Sequence, residues 1–512
     1  MKKAVVSLTG ASGAMGSETV AALMQDPEIS LRVLLRRSKR GIKAAKKLEK
    51  RYGGRIEVIW GDIRQEDDCI RLCRDAEYLL HLAGVIPPAA DHNAELTLSV
   101  NADGTKNLIR AILETGNRAK LVFISTVAIY GNRNEKHLWG RVGDPLVTCA
   151  FDIYGQSKTI AEFAIMESGL EYWTILRQTA VLYDNILMNN ISDGLMFHTP
   201  WNAPIEWVTA KDSGILLRKI IRSDLSGEAE GFWKRVYNIG GGASARQTGY
   251  ETFDEGFRLI GGSIRDFFEP NWNLTRNFHC FWFDDSDELE NRFHFRTQGC
   301  RDFWDWYISR HRIYRAGKII PVKLLRKLAI ERLLKNSNAP AYWAEHGDAA
   351  RIQAYFGGRE AYDALPRRWE DVQLLCESAG YEELRREGGH ERLNHGYDES
   401  KQDSGLSLED MKEAAAFRGG ECVSESMAAG ELYRPLEWKC HEGHTFSATP
   451  YTILKAGHWC PACCHTPLEW RMDRIAAHSP FHAQVWLDSH SRDERFVYTL
   501  KDGIAQMENG HE

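Results

Sequence analysis

The sequence predicts an α/β protein built on a doubly wound parallel sheet, extended by a smaller substrate region, a helical middle segment and a C-terminal metal-binding domain. Three observations carry that prediction. Short apolar runs at 4–9, 31–35, 55–60, 77–81 and 120–124 alternate with stretches of helical period, the rhythm of strands covered by helices on both faces. A glycine-rich turn, Gly10-Ala11-Ser12-Gly13-Ala14-Met15-Gly16, closes the first run. Near the C-terminus two close pairs of soft ligands, Cys440 with His444 and Cys460 with Cys463, stand a loop apart.

A chain of 512 residues has room for two or three domains. Its 43% hydrophobic and 27% charged residues are ordinary for a globular protein. A net charge of −6 points to neither nucleic acid nor an anionic membrane as partner. No apolar run approaches the ~18 residues of a membrane span. Met1-Lys2-Lys3 followed by Ala4-Val5-Val6-Ser7-Leu8 is too short for a signal peptide and runs into the glycine turn, so it reads as a first strand. Eleven scattered cysteines do not form a disulfide framework, which leads us to expect a reducing cytoplasm.

Residues 4–9 read as a buried strand and 14–24 as a helix beginning within the turn. Glycines there let the backbone turn tightly and approach a pyrophosphate, which sits at the positive helix end. The candidate contacts are Gly10, Ser12, Gly13, Ala14, Met15 and Gly16, spaced GxxGxxG; the plainer alternative is a strand–helix turn with no ligand. The strand at 31–35 ends in Arg36 and Arg37, where a dinucleotide site of the NAD type has a carboxylate for the ribose 2′-hydroxyl. Two guanidinium groups attract a 2′-phosphate instead and favour NADP over NAD. The lysines at 43, 46, 47 and 50 read as a solvated helix face. After the strand at 55–60, Asp62, followed by Ile63, is placed to accept a hydrogen bond from adenine. After 77–81, Leu82, Ala83 and Gly84 are small enough for backbone to lie against the cofactor, and the helix 94–115 carries Asn101. The strand 120–124 delivers Ser125 and Thr126. Tyr154 and Lys158, four apart on a helix, share a face. A free phenol titrates near pH ~10, and an adjacent ammonium favours its ionised form.

Taken in order, GASGAMG at 10–16, GDI at 61–63, HLAG at 81–84, NADGTKNL at 101–108, STVAIYG at 125–131 and YGQSK at 154–158 resemble the extended short-chain dehydrogenase/reductase family, which includes the NAD-dependent epimerase/dehydratase enzymes and the 3β-hydroxysteroid and flavonol-type reductases. The resemblance covers roughly residues 1–180 and continues more loosely to about 320. It implies a Rossmann-type domain over 1–320, with the substrate region mainly at 181–320. By position it implies Tyr154 as general acid/base, Lys158 on the nicotinamide ribose, Thr126 on the substrate oxygen and Asn101 as support for the active-site helix. The expected activity is NAD(P)-dependent hydride transfer at a secondary alcohol or ketone of a small molecule. Two alternatives stand beside it: a sugar-nucleotide epimerase or dehydratase with tightly bound NAD, and a dinucleotide-sensing scaffold without turnover. After the strand 172–176 the chain reads Leu176-Arg177-Gln178-Thr179, lacking the asparagine of sugar-nucleotide binders, which weighs against the first. The complete Thr126, Tyr154 and Lys158 set weighs against the second. Members of the family are often homodimers.

Aromatics crowd 278–307, and core packing is the leading reading for them. Residues 321–400 read as a helical connector without a chemical constellation, with helical segments at 322–330 and 369–375 and a polar linker from Gly388-Gly389-His390 to Gly405. Residues 401–512 resemble the treble-clef zinc-ribbon family through GG-x-C-x-S at 419–424, W-x-C-x-x-GH at 438–444 and W-C-P-x-C at 459–463. A structural zinc held by Cys440, His444, Cys460 and Cys463 is expected there, with Cys422 a small core residue. This region holds 11 Lys/Arg against 17 Asp/Glu, the wrong sign for binding phosphates, so a protein partner or a stabilising role is expected rather than nucleic acid.

Overall fold

The apolar runs become β1 (Ala4–Thr9), β2 (Ile29–Leu35), β3 (Ile56–Trp60), β4 (Tyr78–His81) and β5 (Lys120–Thr126), joined by β6 (Trp173–Gln178) and β7 (Arg235–Ile239). The computed structural model describes residues 3–116, 119–133, 136–190, 193–311, 319–387 and 391–509. All seven strands pair in parallel in the order β7-β6-β5-β4-β1-β2-β3. Strands β4 and β6 are buried along their whole length, as expected of parallel strands with a helical layer on each face. The strand order reverses between β1 and β4, so the crevice for a ligand opens at their C-terminal ends.

Helices α1 (Ala14–Leu23) and α7 (Ala210–Leu225) cover one face. A Cβ at Gly214 would come within 2.7 Å of the backbone of Glu18, so glycine allows the two helices to touch. Val6, Leu8, Val33, Leu216, Ile220 and Tyr237 fill that side. The other face carries α3 (Glu66–Cys73), α4 (Ala94–Leu98), α5 (Gly104–Glu114) and α6 (Ile153–Met166), with a π turn at Ser99–Asp103 between α4 and α5.

This second face is completed by the C-terminal region. Leu79, Phe123, Ile165 and Ile175 continue into Trp438, Tyr451 and Trp459 as one core. Polar contacts fix the register along α6. The Gln156 amide donates to the Glu469 carbonyl at 3.0 Å, and the Thr449 hydroxyl donates to Glu167 at 3.0 Å. The Val236 N–H donates to the Tyr451 hydroxyl at 2.8 Å.

Two expectations for the connector change. Residues 369–375 form a short 3-10 turn at Trp369–Asp371 followed by extended backbone, because Trp369 turns into the aromatic core around Trp201 and Phe268. The polar stretch read as a linker includes 388–390, outside the described residues. Within the same stretch His395 is buried between Asp144 at 3.0 Å and Glu399 at 3.0 Å, so its polarity is spent on internal pairs. The aromatics of 278–307 are mostly core: Phe281, Trp282, Phe283, Phe293, Phe295, Phe303 and Tyr307 are buried. No helix among the described residues is long and apolar enough to cross a membrane.

Candidate active site

The glycine turn folds where β1 ends. Gly10 has φ +79°, and a Cβ there would lie 2.8 Å from the Ala83 N. A Cβ at Gly16 would meet the Gly10 carbonyl oxygen at 2.1 Å, so glycine is required where α1 lies against the turn. Gly13 caps α1 without a side-chain hydrogen bond, and the first turn, with Ala14 and Met15, carries no acidic residue. The first amides of α1 thus remain available to an anion, and the cradle fits a pyrophosphate.

Arg36 and Arg37 emerge exposed from the end of β2, the Arg37 guanidinium 5.1 Å over the Trp60 ring. Sequence reasoning missed Arg40, which donates to the Ser12 carbonyl at 3.0 Å and ties the basic corner to the glycine turn. It also missed Arg64, which grips both oxygens of Asp62 at 3.1 and 2.8 Å. Arg64 outweighs partial burial and holds the Asp62 carboxyl below its usual range. An adenine contact by Asp62 would therefore share that carboxylate with Arg64. The Ile63 carbonyl accepts from Asn107 at 2.9 Å. Thr9 accepts from the N–H groups of Leu82 and Ala83 at 3.2 and 3.1 Å, holding the chain beyond β4 close to β1. Asn101, in the π turn, accepts from the Val85 N–H at 2.8 Å and donates to the Val85 carbonyl and the Ser157 hydroxyl, both at 2.9 Å. It clamps the Gly84 loop to α6 and has its polar atoms engaged in doing so.

Helix α6 begins at Asp152, whose carboxylate accepts from the Gly155 N–H at 2.8 Å. Two residues on, Tyr154 is half-buried and hydrogen-bonds Thr126 at the end of β5. The Lys158 ammonium donates to the Ile124 carbonyl at 2.8 Å and lies 4.5 Å over the Phe123 ring. It also sits 3.6 Å from where a Cβ of Gly84 would be. Thr126, Tyr154 and Lys158 therefore converge on the edge of the loop after β4. The expected lowering of the phenol by Lys158 does not appear. Burial pushes Tyr154 up to about 12 despite the Thr126 hydrogen bond, and burial pulls Lys158 down to about 7. The Ser125 hydroxyl is buried without a partner beside Thr126.

Arg177, where the sequence departs from the sugar-nucleotide pattern, is fully buried and bonded to Glu162 on α6. No local feature of the sequence marks Arg177 as the partner of Glu162, 15 residues earlier.

The C-terminal ligands meet as expected. Cys440 and His444 flank the turn between strands Leu436–Lys439 and Thr445–Ala448, and Cys460 and Cys463 bracket the start of helix Pro461–Cys464. The Cys440 and Cys463 sulfurs are 3.7 Å apart, and His444 Nδ1 lies 3.3, 3.5 and 3.8 Å from Cys463, Cys440 and Cys460. Four ligands about 2.3 Å from one ion would be spaced by roughly 3.8 Å, so the set fits tetrahedral zinc. The Cys463 thiol and backbone amides donate to Cys460 and draw its thiol below the ordinary thiol range. Among nearby candidates, His458 bonds Glu162 at 3.1 Å instead, and Cys422 is buried core.

Residues 7–175 match the model of the 3-beta hydroxysteroid dehydrogenase/isomerase family. Human 3 beta-hydroxysteroid dehydrogenase type 7 is 28% identical over 173 residues, 33% of this chain and 45% of that protein. The D-erythronate dehydrogenase of Cupriavidus necator is 26% identical over 168 residues, 32% of this chain and 49% of that protein. A solved dTDP-glucose 4,6-dehydratase from Streptomyces venezuelae with NAD bound is 18% identical, covers 61% of this chain and 98% of its own, and superposes with a TM-score of 0.49. The chain spans about half the length of the curated relatives it matches. Over residues 7–175 the chain is thus similar to the 3-beta hydroxysteroid dehydrogenase/isomerase family.

Proposed function

We propose that the protein is an NADP-preferring oxidoreductase that interconverts a secondary alcohol and a ketone. The convergence of Thr126, Tyr154 and Lys158 beside the glycine turn carries this reading. The dinucleotide, when bound, supplies or accepts the hydride. Gly10, Ser12, Gly13, Ala14, Met15 and Gly16 would hold its pyrophosphate, and Arg36 and Arg37, steadied by Arg40, its 2′-phosphate. Tyr154 exchanges a proton with the substrate oxygen while Thr126 holds that oxygen by a hydrogen bond. Burial keeps the Tyr154 phenol protonated at neutral pH, so it stands ready with a proton for the substrate oxygen in the reductive direction, and Lys158 would meet the nicotinamide ribose. Cys440, His444, Cys460 and Cys463 would hold a structural zinc that fixes the C-terminal region against α6. The relatives named above, dehydrogenases by name, support the same chemistry.

Extensively dialysed protein should be free of nicotinamide and bind NADPH more tightly than NADH. Tyr154→Phe should keep that binding and lose about 10²–10⁴-fold in kcat. Retained NAD would instead support a cofactor recycled in place, and unchanged turnover in the variant would remove Tyr154 from the chemistry.

A further inference from the structure

A cavity of about 230 Å³ lies at the N-terminus of α6, walled by the loop after β4, by the segment around Asn277 and His279, and by Trp343 and Arg351 of the connector. Three acceptors in its wall are buried and have no hydrogen-bond partner among the described residues: Asp91 Oδ2, Asp152 Oδ2 and Asn277 Oδ1. Asn277 itself is 4% exposed. Buried acceptors of this kind are rare because leaving them unpaired costs free energy.

Several of the neighbouring donors point elsewhere. Asn277 gives its amide hydrogens to the Ala354 carbonyl at 2.6 Å and to His490 at 3.3 Å. Arg351 donates to Asp348 at 2.5 Å. His279 Nδ1 stands 3.5 Å from Asp152 Oδ2, an ion-pair distance beyond a good hydrogen bond. Asp91 Oδ2, Asp152 Oδ2 and Asn277 Oδ1 thus stay unpaired among the described residues, and a ligand rich in hydroxyl donors can pair them.

We propose that this cavity binds the hydroxyl-bearing end of the substrate, a neutral polyol unit whose vicinal hydroxyls donate to Asp152 and Asn277 and share a hydrogen bond with the protonated Asp91 carboxyl. This rests on the oxidoreductase reading, in which Tyr154 follows Asp152 by two residues and serves the reacting carbon. At the ~30 Å³ that a water occupies in the liquid, the space takes roughly eight non-hydrogen atoms, the size of a four-carbon polyol. A polycyclic alcohol is larger, brings one hydroxyl and would seal the remaining acceptors against hydrocarbon. A cation is less suited than a neutral polyol. Burial, followed by the charges of Asp152 and Asp193, pushes the Asp91 carboxyl up to about 8, so it holds its proton at neutral pH, and Arg351 offsets the charge that remains. In the reaction Tyr154 first releases its proton to solvent; one polyol C–H then passes as hydride to the oxidised dinucleotide, the proton of the same carbon's hydroxyl passes to the Tyr154 phenolate, and a ketose and reduced dinucleotide result.

The test is calorimetric titration of the full chain, with NADP present, by erythritol, threitol and xylitol, beside 2-amino-1,3-propanediol and a steroid alcohol. We expect saturable binding of at least one neutral polyol, weakened tenfold or more in Asp91→Leu and in Asn277→Leu. Asp91→Leu should melt no lower than the parent, since the oxygen it removes has no internal partner; this separates lost binding from lost folding. The subsite is overturned if no polyol saturates the protein, if Asp91→Leu binds unchanged, or if the amine or the steroid binds most tightly. Failure of the oxidoreductase reading looks different: a polyol binds and depends on Asp91, yet no nicotinamide absorbance develops at 340 nm.

Discussion

Helix α6 buries polar side chains near both ends, and the two ends are treated in opposite ways. Toward its C-terminus Glu162 accepts from Arg177 at 2.8 and 3.1 Å and pairs with His458 at 3.1 Å. Arg177 spends its remaining donors on the Tyr130 hydroxyl at 2.7 Å and the Ala456 carbonyl at 2.8 Å. At the N-terminus Asp152, Asp91 and Asn277 each leave an oxygen unpaired against a cavity. A closed network of buried charge rigidifies and fixes register, whereas an open one stores unmet hydrogen-bonding capacity. The contrast separates the part of the helix that holds two regions together from the part that meets a ligand.

The largest way to break the closed end is to remove the metal. Ala456 and His458, which complete the Glu162–Arg177 network, lie just ahead of Cys460 and Cys463 in the chain. Purified protein should carry one zinc per chain by elemental analysis. Stripping it with a chelator should lower the thermal midpoint and increase proteolysis across 401–509. In isolated zinc modules the metal contributes about 10–16 kcal/mol; here the shared core with Phe123 and Ile175 limits the loss to a fraction of that. Protein that holds no zinc, or that melts unchanged after chelation, would leave the four ligands without this role.

Next in size is Glu162→Gln, which leaves Arg177 charged and uncompensated at 0% exposure. Removing one partner of such a pair destabilises by about 3–5 kcal/mol, read as a shift in the denaturation midpoint. The pH dependence carries a sign. Burial raises the Glu162 carboxyl, but Arg177 and His458 outweigh it and hold it at about 2, below its ordinary 4.5. Its contribution is therefore fully present above pH ~4.5 and is lost as pH falls toward ~2, where the folded form takes up its proton. The variant should lack that portion of the acid slope. A parallel slope in both proteins would mean that Glu162 titrates as an ordinary carboxylate.

The sheet was legible because parallel strands buried on two faces leave unbroken apolar runs, and β1 through β5 fall within two or three residues of those runs. The glycine turn and the metal ligands were legible because each needs a particular residue at a fixed local spacing. What could not be read joins residues far apart in the chain. Nothing local marks Glu162 as the partner of both Arg177 and His458, 15 and 296 positions away. The same holds for the cavity, whose wall draws on Asp91, Asn277 and a connector segment that read as plain helix. The phenol shows a second limit: the i,i+4 spacing of Tyr154 and Lys158 was visible, but not the Ile124 carbonyl that claims the ammonium. Spacing gives adjacency along a helix, while desolvation and competing acceptors decide the electrostatics.

The smallest effect lies at the surface, where neither kind of burial operates. Arg36 and Arg37 are exposed, and Arg37 leans on Trp60 without a carboxylate partner in hydrogen-bonding reach among the described residues. A hydrogen bond to a charged group contributes about 1.5–3 kcal/mol, which is roughly 10–100-fold in affinity. Arg36→Ala should therefore weaken NADPH by up to that factor and leave NADH nearly unchanged, measured by fluorescence titration of the dialysed protein. Raising the salt concentration should narrow the NADPH preference of the parent as well, because exposed charges are screened over about 8–10 Å at 0.1–0.15 M. Arg36→Ala should leave the melting point nearly unchanged, since the exposed Arg36 guanidinium makes no hydrogen bond or salt bridge among the described residues. Equal weakening of both dinucleotides would place Arg36 at a group they share, such as the pyrophosphate, and would return the choice of cofactor to the corner made by Arg40 and Ser12.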